Sequence, residues 1–225
     1  MAEWRKELRT LSRKDPADAN DMQTVGRALH ELESDRGCAL IGGSLAENSL
    51  EQIIRLHAIQ LTNEKLEDIF GFNAPLGNFS SKIVVAFSFG FIDSEIRDDY
   101  ERIKEIRNAF AHSQTILDFR NDAVKRGCSG FHAPYPAGMK EYLASENAAR
   151  RAYVNAVIAL GHVAGLAMAS FGRGHFNKAW RILTYDEAAA SREKLWIQLH
   201  PQNHGNPLQD DKKKVRKPPP QSSPG

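Results

Sequence analysis

The sequence predicts an all-α protein, a single helical bundle with a short N-terminal arm and a disordered basic C-terminal tail. Three observations lead to this prediction. Apolar residues recur at helical spacing through most of the 225 residues, capping residues and glycines mark helix ends, and the chain becomes polar, prolyl and basic near its C-terminus. The predicted boundaries are residues 1–20 for the arm, 21–200 for the bundle and 201–225 for the tail.

Composition and charge narrow the classes of function. Apolar residues make up 41% of the chain and charged residues 26%, fractions typical of a soluble globular protein. The formal net charge is +2, but residues 201–225 hold five basic and two acidic residues, a net of +3, which leaves −1 for everything before residue 201. A nearly neutral body is not expected to bind duplex DNA over a broad surface.

The basic run near the C-terminus is a candidate for nucleic-acid binding, because its cations can attract nucleic acid nonspecifically through counterion release. A solubilising end is the alternative for such a short charge run. The cations are Lys212, Lys213, Lys214, Arg216 and Lys217.

The two cysteines, Cys38 and Cys128, lie far apart in the sequence and have neither the spacing of a disulfide framework nor that of a metal site. We therefore expect reduced thiols in a cytoplasmic protein, with no metal and no cofactor. The segment from Met1 to Asp15 is charged and lacks the apolar run of a secretion signal.

The N-terminal part of the chain is predicted to be helical. Residues 3–13 form an amphipathic helix that Pro16 ends, so this segment is expected to be a loosely attached arm. Asp21 caps a second helix, which is predicted to continue through Arg36 into the apolar segment 39–61.

The segment 39–61 is apolar on most faces, which is typical of a buried helix. Its Gly42 and Gly43 would let a neighbouring helix pack closely, and His57 is interpreted as a satisfied core or boundary histidine. A third helix ends with residues 66–70, and the glycines and proline of residues 71–77 predict a turn.

The next predicted helix, residues 81–89, has Asn78 or Ser80 as its capping residue and little polar surface. Its β-branched run would also suit a strand, but the cap before it and Gly90 after it favour a short buried helix.

Asp93 or Ser94 then caps an amphipathic helix that is predicted to run to about His112. Arg107 falls in the middle of its apolar stripe, where a guanidinium must find a carboxylate, a carbonyl or an anion, or face an interface. The apolar stripe consists of Ile96, Tyr100, Ile103, Ile106 and Phe110, and the opposite stripe consists of Glu101, Glu105, Asn108 and His112.

The C-terminal half begins with a helical fragment containing Ile116, Phe119 and Val124, followed by a glycine- and proline-containing loop through Cys128. A long helix is predicted over about residues 140–171, and Asp186 is predicted to cap a last helix over residues 187–199.

The long helix could be read as a membrane span, since residues 152–171 carry no charged side chain. Its many alanines, together with Asn155 and His162, favour a buried bundle helix instead, so no membrane contact is expected. Gly161 and Gly165, four residues apart, are predicted to serve close helix packing.

Three sequence features resemble the mannitol repressor family of bacterial regulators. They are the run Leu76-Gly77-Asn78-Phe79-Ser80-Ser81-Lys82-Ile83, the turn Gly90-Phe91-Ile92, and the helix ending Arg-Asn-x-Phe-Ala-His at residues 107–112. The similarity covers about residues 36–171. It implies an all-helical protein named for repression of mannitol-uptake genes, without a recognisable DNA-reading element, so that regulation runs through a protein partner.

Residues 107–112 also match the Arg-x4-His signature of the HEPN superfamily, whose helical domains often dimerise and include many metal-independent endoribonucleases. For RNA cleavage by 2′-hydroxyl attack, Arg107 would contact phosphate, His112 would transfer protons and Asn108 would orient the imidazole. Asn108 and His112 are i, i+4 neighbours on one helix face.

Arg107 and His112 are about 140° apart on a regular helix, so they do not point together. Three arrangements would resolve this: the helix frays near His112, the arginine side chain wraps round, or a second subunit supplies its own copies in a dimer cleft. The superfamily resemblance favours the dimer. A purely structural interpretation stays open, in which Arg107 satisfies a buried carboxylate and His112 caps the helix; Glu47, Glu51 and Asp68 are the candidate carboxylates.

The sequence is thus interpreted as a regulatory protein like the mannitol repressors, which acts through protein contacts. The alternative is a HEPN-type, toxin-like endoribonuclease that binds RNA at Arg107, Asn108 and His112. A third possibility is an interaction domain without activity. Glu101 and Glu105 beside the motif count against catalysis, because they would repel phosphate unless neighbouring bases pair with them.

Overall fold

The computed structural model describes residues 24–58, 62–135, 147–171, 184–186 and 190. All regular elements in these residues are helices, which confirms the predicted all-α bundle. The predicted arm, nearly all of the last helix and the basic tail lie outside the described residues. The chain divides into two compact units, Met1–Ala188 and Ala189–Gly225, and the description below concerns the first.

Six α-helices follow a short π-helical segment, Ala28–Leu32, within the described residues. They are α1 (Asp35–His57), α2 (Asn63–Phe70), α3 (Phe79–Ser88), α4 (Ser94–His112), α5 (Asp122–Ser129) and α6 (Ala148–Phe171). Helix α1 is central, because it packs against α3, α4 and α6. Its buried positions are mostly apolar or small, as predicted for a helix enclosed by its neighbours.

The predicted continuous helix from Asp21 through Arg36 is wrong. Glu33 and Ser34 have extended backbone, and the Ser34 hydroxyl accepts a hydrogen bond of 3.0 Å from the Gly37 N–H. A serine in this position satisfies a free N–H at a helix start, so α1 begins anew at Asp35.

Arg150 of α6 holds this break in place. Its guanidinium donates hydrogen bonds of 2.6 to 3.0 Å to the carbonyls of Leu29 and Glu33 and to the Asp35 carboxylate. The carbonyls left free where the π-helical segment ends therefore find a charged donor.

Two glycines of α1 permit the close approach of its neighbours, as predicted. A Cβ on Gly42 would lie 2.7 Å from Cε1 of Tyr153 in α6, and one on Gly43 would lie 2.6 Å from Cγ of Arg107 in α4. Close helix packing is not confirmed at Gly165, where an added Cβ would meet no described atom within 4 Å.

Helix α3 has the capping residue and the terminal glycine that the sequence predicts, but it spans Phe79–Ser88 rather than residues 81–89. The Asn78 side chain accepts a hydrogen bond of 2.8 Å from the Ser81 N–H, so Asn78 rather than Ser80 is the cap. At the other end Gly90 has φ +70°, and the N–H groups of Gly90 and Phe91 bond the carbonyls of Phe87 and Ala86. This is the Schellman arrangement that glycine favours.

The prediction that α3 is buried is wrong for one of its faces. Phe79, Ile83 and Ala86 lie in the core, but Val84 is 60% exposed and Phe87 is 39% exposed. Among the described elements α3 packs against α1 and α4, and these two helices leave part of its apolar surface uncovered.

Helix α4 follows the predicted pattern closely. The Asp93 carboxylate accepts a hydrogen bond of 2.8 Å from the Ile96 N–H and so caps the helix. The helix continues regularly to His112, and Ser113 is its C-cap. All five residues of the predicted apolar stripe are buried, namely Ile96, Tyr100, Ile103, Ile106 and Phe110.

Three predictions in the C-terminal half need correction. Cys128, predicted in a loop, is a buried residue of α5, where it packs in the core with Val124. Helix α6 begins at Ala148 rather than near residue 140, because Asn147 lies in a turn. Asp186 does not precede the last helix, since Tyr185 and Asp186 are already helical.

Helix α6 is long and apolar enough to cross a membrane, but 61% of its most apolar window is buried inside the bundle. It packs mainly against α1 and also contacts α4 and α5. Its apolar composition is therefore that of a core helix, as predicted.

Candidate functional site

Arg107, the cation predicted to need an anion or an interface, lies where α4 crosses α1. Its Cβ and Cγ rest on Gly43, and its guanidinium reaches towards Glu47, with Nη2 3.6 Å from Oε2. The Arg107 side chain is 32% exposed. Of the three carboxylates proposed from the sequence, Glu47 is the one it meets, while Glu51 and Asp68 are not its partners among the described residues.

Glu47 is shared with a second cation, Lys82 of α3. The Lys82 ammonium lies 3.0 Å from Glu47 and 2.8 Å from Glu51, and its side chain is only 5% exposed. Arg55 approaches Glu51 at 3.7 Å and extends the cluster outwards. We call Glu47, Glu51, Arg55, Lys82 and Arg107 the ion cluster; it joins α1, α3 and α4.

Sequence reasoning missed Lys82 as a site residue, although it lies within the run that resembles mannitol repressors. The available signal was its position: Phe79, Ile83 and Ala86 place Lys82 on the buried face of an otherwise apolar helix. A buried lysine requires a carboxylate partner, and only the fold shows that α1 supplies two.

His112 is the last residue of α4 and is exposed. In the described part of the chain its imidazole makes no hydrogen bond or ion pair. A basic side chain in the last turn interacts favourably with the partial negative charge of the helix end. The capping bond itself comes from the Ser113 N–H, which donates to the Ala109 carbonyl at 3.0 Å.

A further guanidinium reaches the end of α4. Arg36, near the start of α1, donates a hydrogen bond of 2.5 Å from Nη2 to the carbonyl of Ser113. Arg36 is exposed. The residue next to His112 is therefore fixed by a cation that sequence reasoning did not single out.

The described geometry does not assemble the predicted catalytic group within one chain. Helix α4 is regular through His112, so it does not fray there, and Arg107 is directed towards Glu47 on α1. Asn108 is partly exposed and forms no hydrogen bond to His112. Of the three arrangements considered from the sequence, only a second subunit is left to complete a site with Arg107 and His112 together.

The acidic residues beside the motif are partly neutralised. Lys104 contacts Glu101 at 2.5 Å and Glu105 at 3.3 Å. Burial is the largest single influence on the pKa of Lys104 and lowers it, but the contacts with the two carboxylates together outweigh burial, so the pKa is raised. Two carboxylates against one ammonium still leave a net charge of −1 on this side of α4. A polyanion would meet repulsion here.

Asp99 is a second buried polar centre, on the core side of α4. Its carboxylate accepts hydrogen bonds from the N–H groups of His132 and Ala133, at 2.8 and 2.9 Å, and from the Tyr185 hydroxyl at 2.6 Å. Burial raises the pKa of Asp99, and these bonds act against that rise. Because the carboxylate accepts hydrogen bonds from three donors on two other segments of its own chain, we assign it a structural role.

The two thiols are free and buried. Burial raises the pKa of Cys38 to about 11 and that of Cys128 to about 12, so both are protonated at neutral pH. A protonated buried thiol is a poor nucleophile and a poor metal ligand. In the described residues no group of three or more histidine, cysteine, aspartate or glutamate side chains is placed to hold a metal ion.

His57 behaves as a boundary histidine, as expected. Its Nδ1 lies 2.8 Å from the carbonyl of Ile53, and its ring stacks on Phe91 with 4.0 Å between ring centroids. These contacts orient the imidazole for packing.

The outward side of α3 exposes apolar residues and serines, without a charged residue of that helix. Its exposed residues are Ser80, Val84, Phe87 and Ser88, with Phe89 beyond the helix end; we call them the α3 outer face. Phe89 is 62% exposed, and Arg97 lies over the Phe87 ring at 4.4 Å from its centroid. Exposed apolar residues grouped on one helix are typical of a protein contact.

The predicted nucleic-acid cations Lys212, Lys213, Lys214, Arg216 and Lys217 lie outside the described residues, so their role stays a prediction.

No protein-family model matches this sequence, and comparisons with curated proteins and with solved structures found no match. The resemblances to mannitol repressors and to the HEPN superfamily therefore stay predictions.

Proposed function

We propose that this protein is a cytoplasmic, transcription-related regulator that acts through protein contacts rather than by reading bases. The observation that carries this proposal is the α3 outer face, where Val84 and Phe89 are each about three-fifths exposed. It agrees with the role that the resemblance to mannitol repressors implies.

The chemistry of the α3 outer face favours a protein partner. An exposed valine or phenylalanine gains free energy when an apolar surface covers it, at roughly 25 cal/mol per Å² of apolar area removed from water. Phosphates gain little from such a surface, since Lys82, the one lysine of α3, is buried in the ion cluster and Arg97, the cation over Phe87, is paired with Asp98.

The test is a change of charge on this face. Val84→Asp places a carboxylate at the centre of the α3 outer face, whereas Ile116→Asp places one at a fully exposed apolar residue in the loop after α4. Both side chains lie outside the core, so both variants are expected to fold, which circular dichroism and thermal unfolding will check.

Transcript levels in cells that express the wild type or either variant are then compared with those in cells lacking the protein. We expect Val84→Asp to lose the transcript changes and Ile116→Asp to keep them. Identical transcript profiles with and without the protein would contradict a regulatory function.

The second candidate function is a metal-independent endoribonuclease with Arg107, Asn108 and His112 in a dimer cleft. The exposure of His112, with no described hydrogen bond to hold it, favours this candidate. It predicts that highly purified protein cleaves RNA and is toxic on overexpression. If His112→Ala left any such cleavage unchanged, this candidate would be excluded.

A further inference from the structure

Arg107 can serve as a receptor for an anion. We propose that it binds a compact oxyanion, a carboxylate presented by the protein partner, and that Glu47 is a built-in competitor which occupies Arg107 until that carboxylate arrives. This inference rests on the proposed regulatory function and names one contact that the partner makes.

The Arg107 guanidinium has N–H donors that no described acceptor uses. A guanidinium carries five N–H donors, yet the ionic contact of Arg107 with Glu47 measures 3.6 Å, longer than a hydrogen bond. Arg150, in contrast, places three of its nitrogens 2.6 to 3.0 Å from its acceptors. Among the described residues, Arg107 donates no side-chain hydrogen bond, and about a third of its side chain is open to solvent.

Glu47 can release Arg107 without being left unpaired. Its Oε1 lies 3.0 Å from the Lys82 ammonium, which is nearly fully buried and is also held at 2.8 Å by Glu51. The strongest obstacle to breaking a buried ion pair is the lone charge left behind. Since Lys82 stays beside Glu47, that obstacle is removed.

The charge of the ion cluster also leaves room for one more anion. Three cations, Arg55, Lys82 and Arg107, face two carboxylates, Glu47 and Glu51. The net charge is therefore +1, and a single carboxylate at the exposed end of Arg107 would neutralise it. Arginine suits this role, because its planar fork of donors matches the two oxygens of a carboxylate.

The surroundings select a small anion over a nucleic acid. Glu101, Lys104 and Glu105 leave a net charge of −1 on the solvent side of the same helix. The aliphatic part of the Arg107 side chain packs on Gly43, so the guanidinium is the part of this side chain that can contact a ligand. One carboxylate needs no more than that guanidinium, whereas a nucleic acid needs further cations, and the opposite side of α4 offers a net negative charge instead.

The test compares four proteins by NMR: wild type, Glu47→Gln, Arg107→Gln and Arg55→Gln. The Arg107 Nε–H signal is followed in the three that keep Arg107, and the backbone amide signals around position 107 are followed in all four. Acetate is titrated as the carboxylate probe, and inorganic phosphate and a hexauridylate RNA are titrated separately. Glu47→Gln removes the competing charge and keeps a carbonyl oxygen for Lys82. Arg55→Gln is the matched control, because it removes the exposed cation of the same cluster without touching the Arg107 contact.

We expect acetate to bind Glu47→Gln about fivefold more tightly than the wild type, the factor that corresponds to loss of one partly exposed ion pair. Arg55→Gln lowers the net charge of the cluster and should therefore bind acetate no more tightly than the wild type. Arg107→Gln should show no acetate-dependent shift in the backbone amide signals of α1 and α4 around position 107. Equal acetate affinity in wild type and Glu47→Gln, or absence of acetate binding in both, would overturn the proposal. So would tighter binding of hexauridylate than of acetate.

The same acetate titration separates this inference from the proposed function. A negative result with Glu47→Gln leaves the transcript effect of Val84→Asp intact, and a failed transcript test leaves anion binding at Arg107 measurable.

Discussion

Replacing Gly43 by alanine tests the helix crossing that positions Arg107. The added Cβ would lie 2.6 Å from Cγ and 2.8 Å from Cβ of Arg107, closer than nonbonded carbons approach. Rotation of the arginine side chain cannot move its Cβ, so α1 and α4 must separate. Overpacking of this kind costs about 1–3 kcal/mol, while alanine in a helix interior is favoured over glycine by about 1 kcal/mol. We expect a net loss of up to about 2 kcal/mol.

Gly165→Ala in α6 is the matched control. It makes the same chemical change in a helix interior, but the added Cβ meets no described atom within 4 Å. Only the helix-propensity gain applies, so its free energy of unfolding should rise by roughly 0.5–1 kcal/mol. Urea denaturation at neutral pH measures both variants.

The two free energies of unfolding should therefore change in opposite directions. The loss in Gly43→Ala should also shrink when Arg107 is first replaced by alanine, because one of the two clashing carbons is then gone. If Gly43→Ala stabilised the protein as much as Gly165→Ala, the close crossing of α1 and α4 would be refuted.

Two further predictions concern the break before α1. Arg150→Met removes the charged donor from the carbonyls of Leu29 and Glu33 and should lower the free energy of unfolding by about 2–3 kcal/mol in the same urea denaturation assay. The control is Arg27→Met, at an exposed ion pair with Glu31, which should change the free energy of unfolding by no more than about 0.5 kcal/mol. Burial, followed by the charges of Arg151 and Arg150, lowers the pKa of His30 below 6.5 in the folded state. The unfolded chain then binds more protons, so the stability linked to His30 is present above pH 6.5 and is lost as the pH falls through the folded-state pKa. His30→Gln should flatten the decline of stability between pH 7.5 and pH 5.5, and an unchanged slope would contradict the burial of this imidazole.

Local signals in the sequence were enough to predict the capping residues of α3 and α4 and the glycine that ends α3. Asn78, Asp93 and Gly90 act over a few residues, so the sequence contains all that determines their roles. The apolar stripe of α4 was equally predictable, because a regular 3.6-residue period needs only one element and one buried side.

The contacts that distinguish this site depend on residues distant in sequence. Arg107 was recognisable as a cation in need of a partner, but the choice of Glu47 over Glu51 depends on how α1 and α4 cross at Gly43. The break at Ser34 could not be inferred from the helical period, since it is held by Arg150, more than a hundred residues away. The exposure of one face of α3 was missed because the sequence of an apolar helix is the same whether its faces are covered by neighbouring helices of the same chain or by a partner protein.

A photo-crosslinking amino acid placed in living cells tests the central claim most directly. It is introduced at Val84 on the α3 outer face in one strain and at Ile116 in another, two exposed apolar positions on different parts of the surface. Contact through the α3 outer face predicts a discrete protein adduct from position 84 that is lost when Phe89→Asp is added, and no such adduct from position 116. Equal adducts from both positions, or adducts with nucleic acid alone, would contradict it.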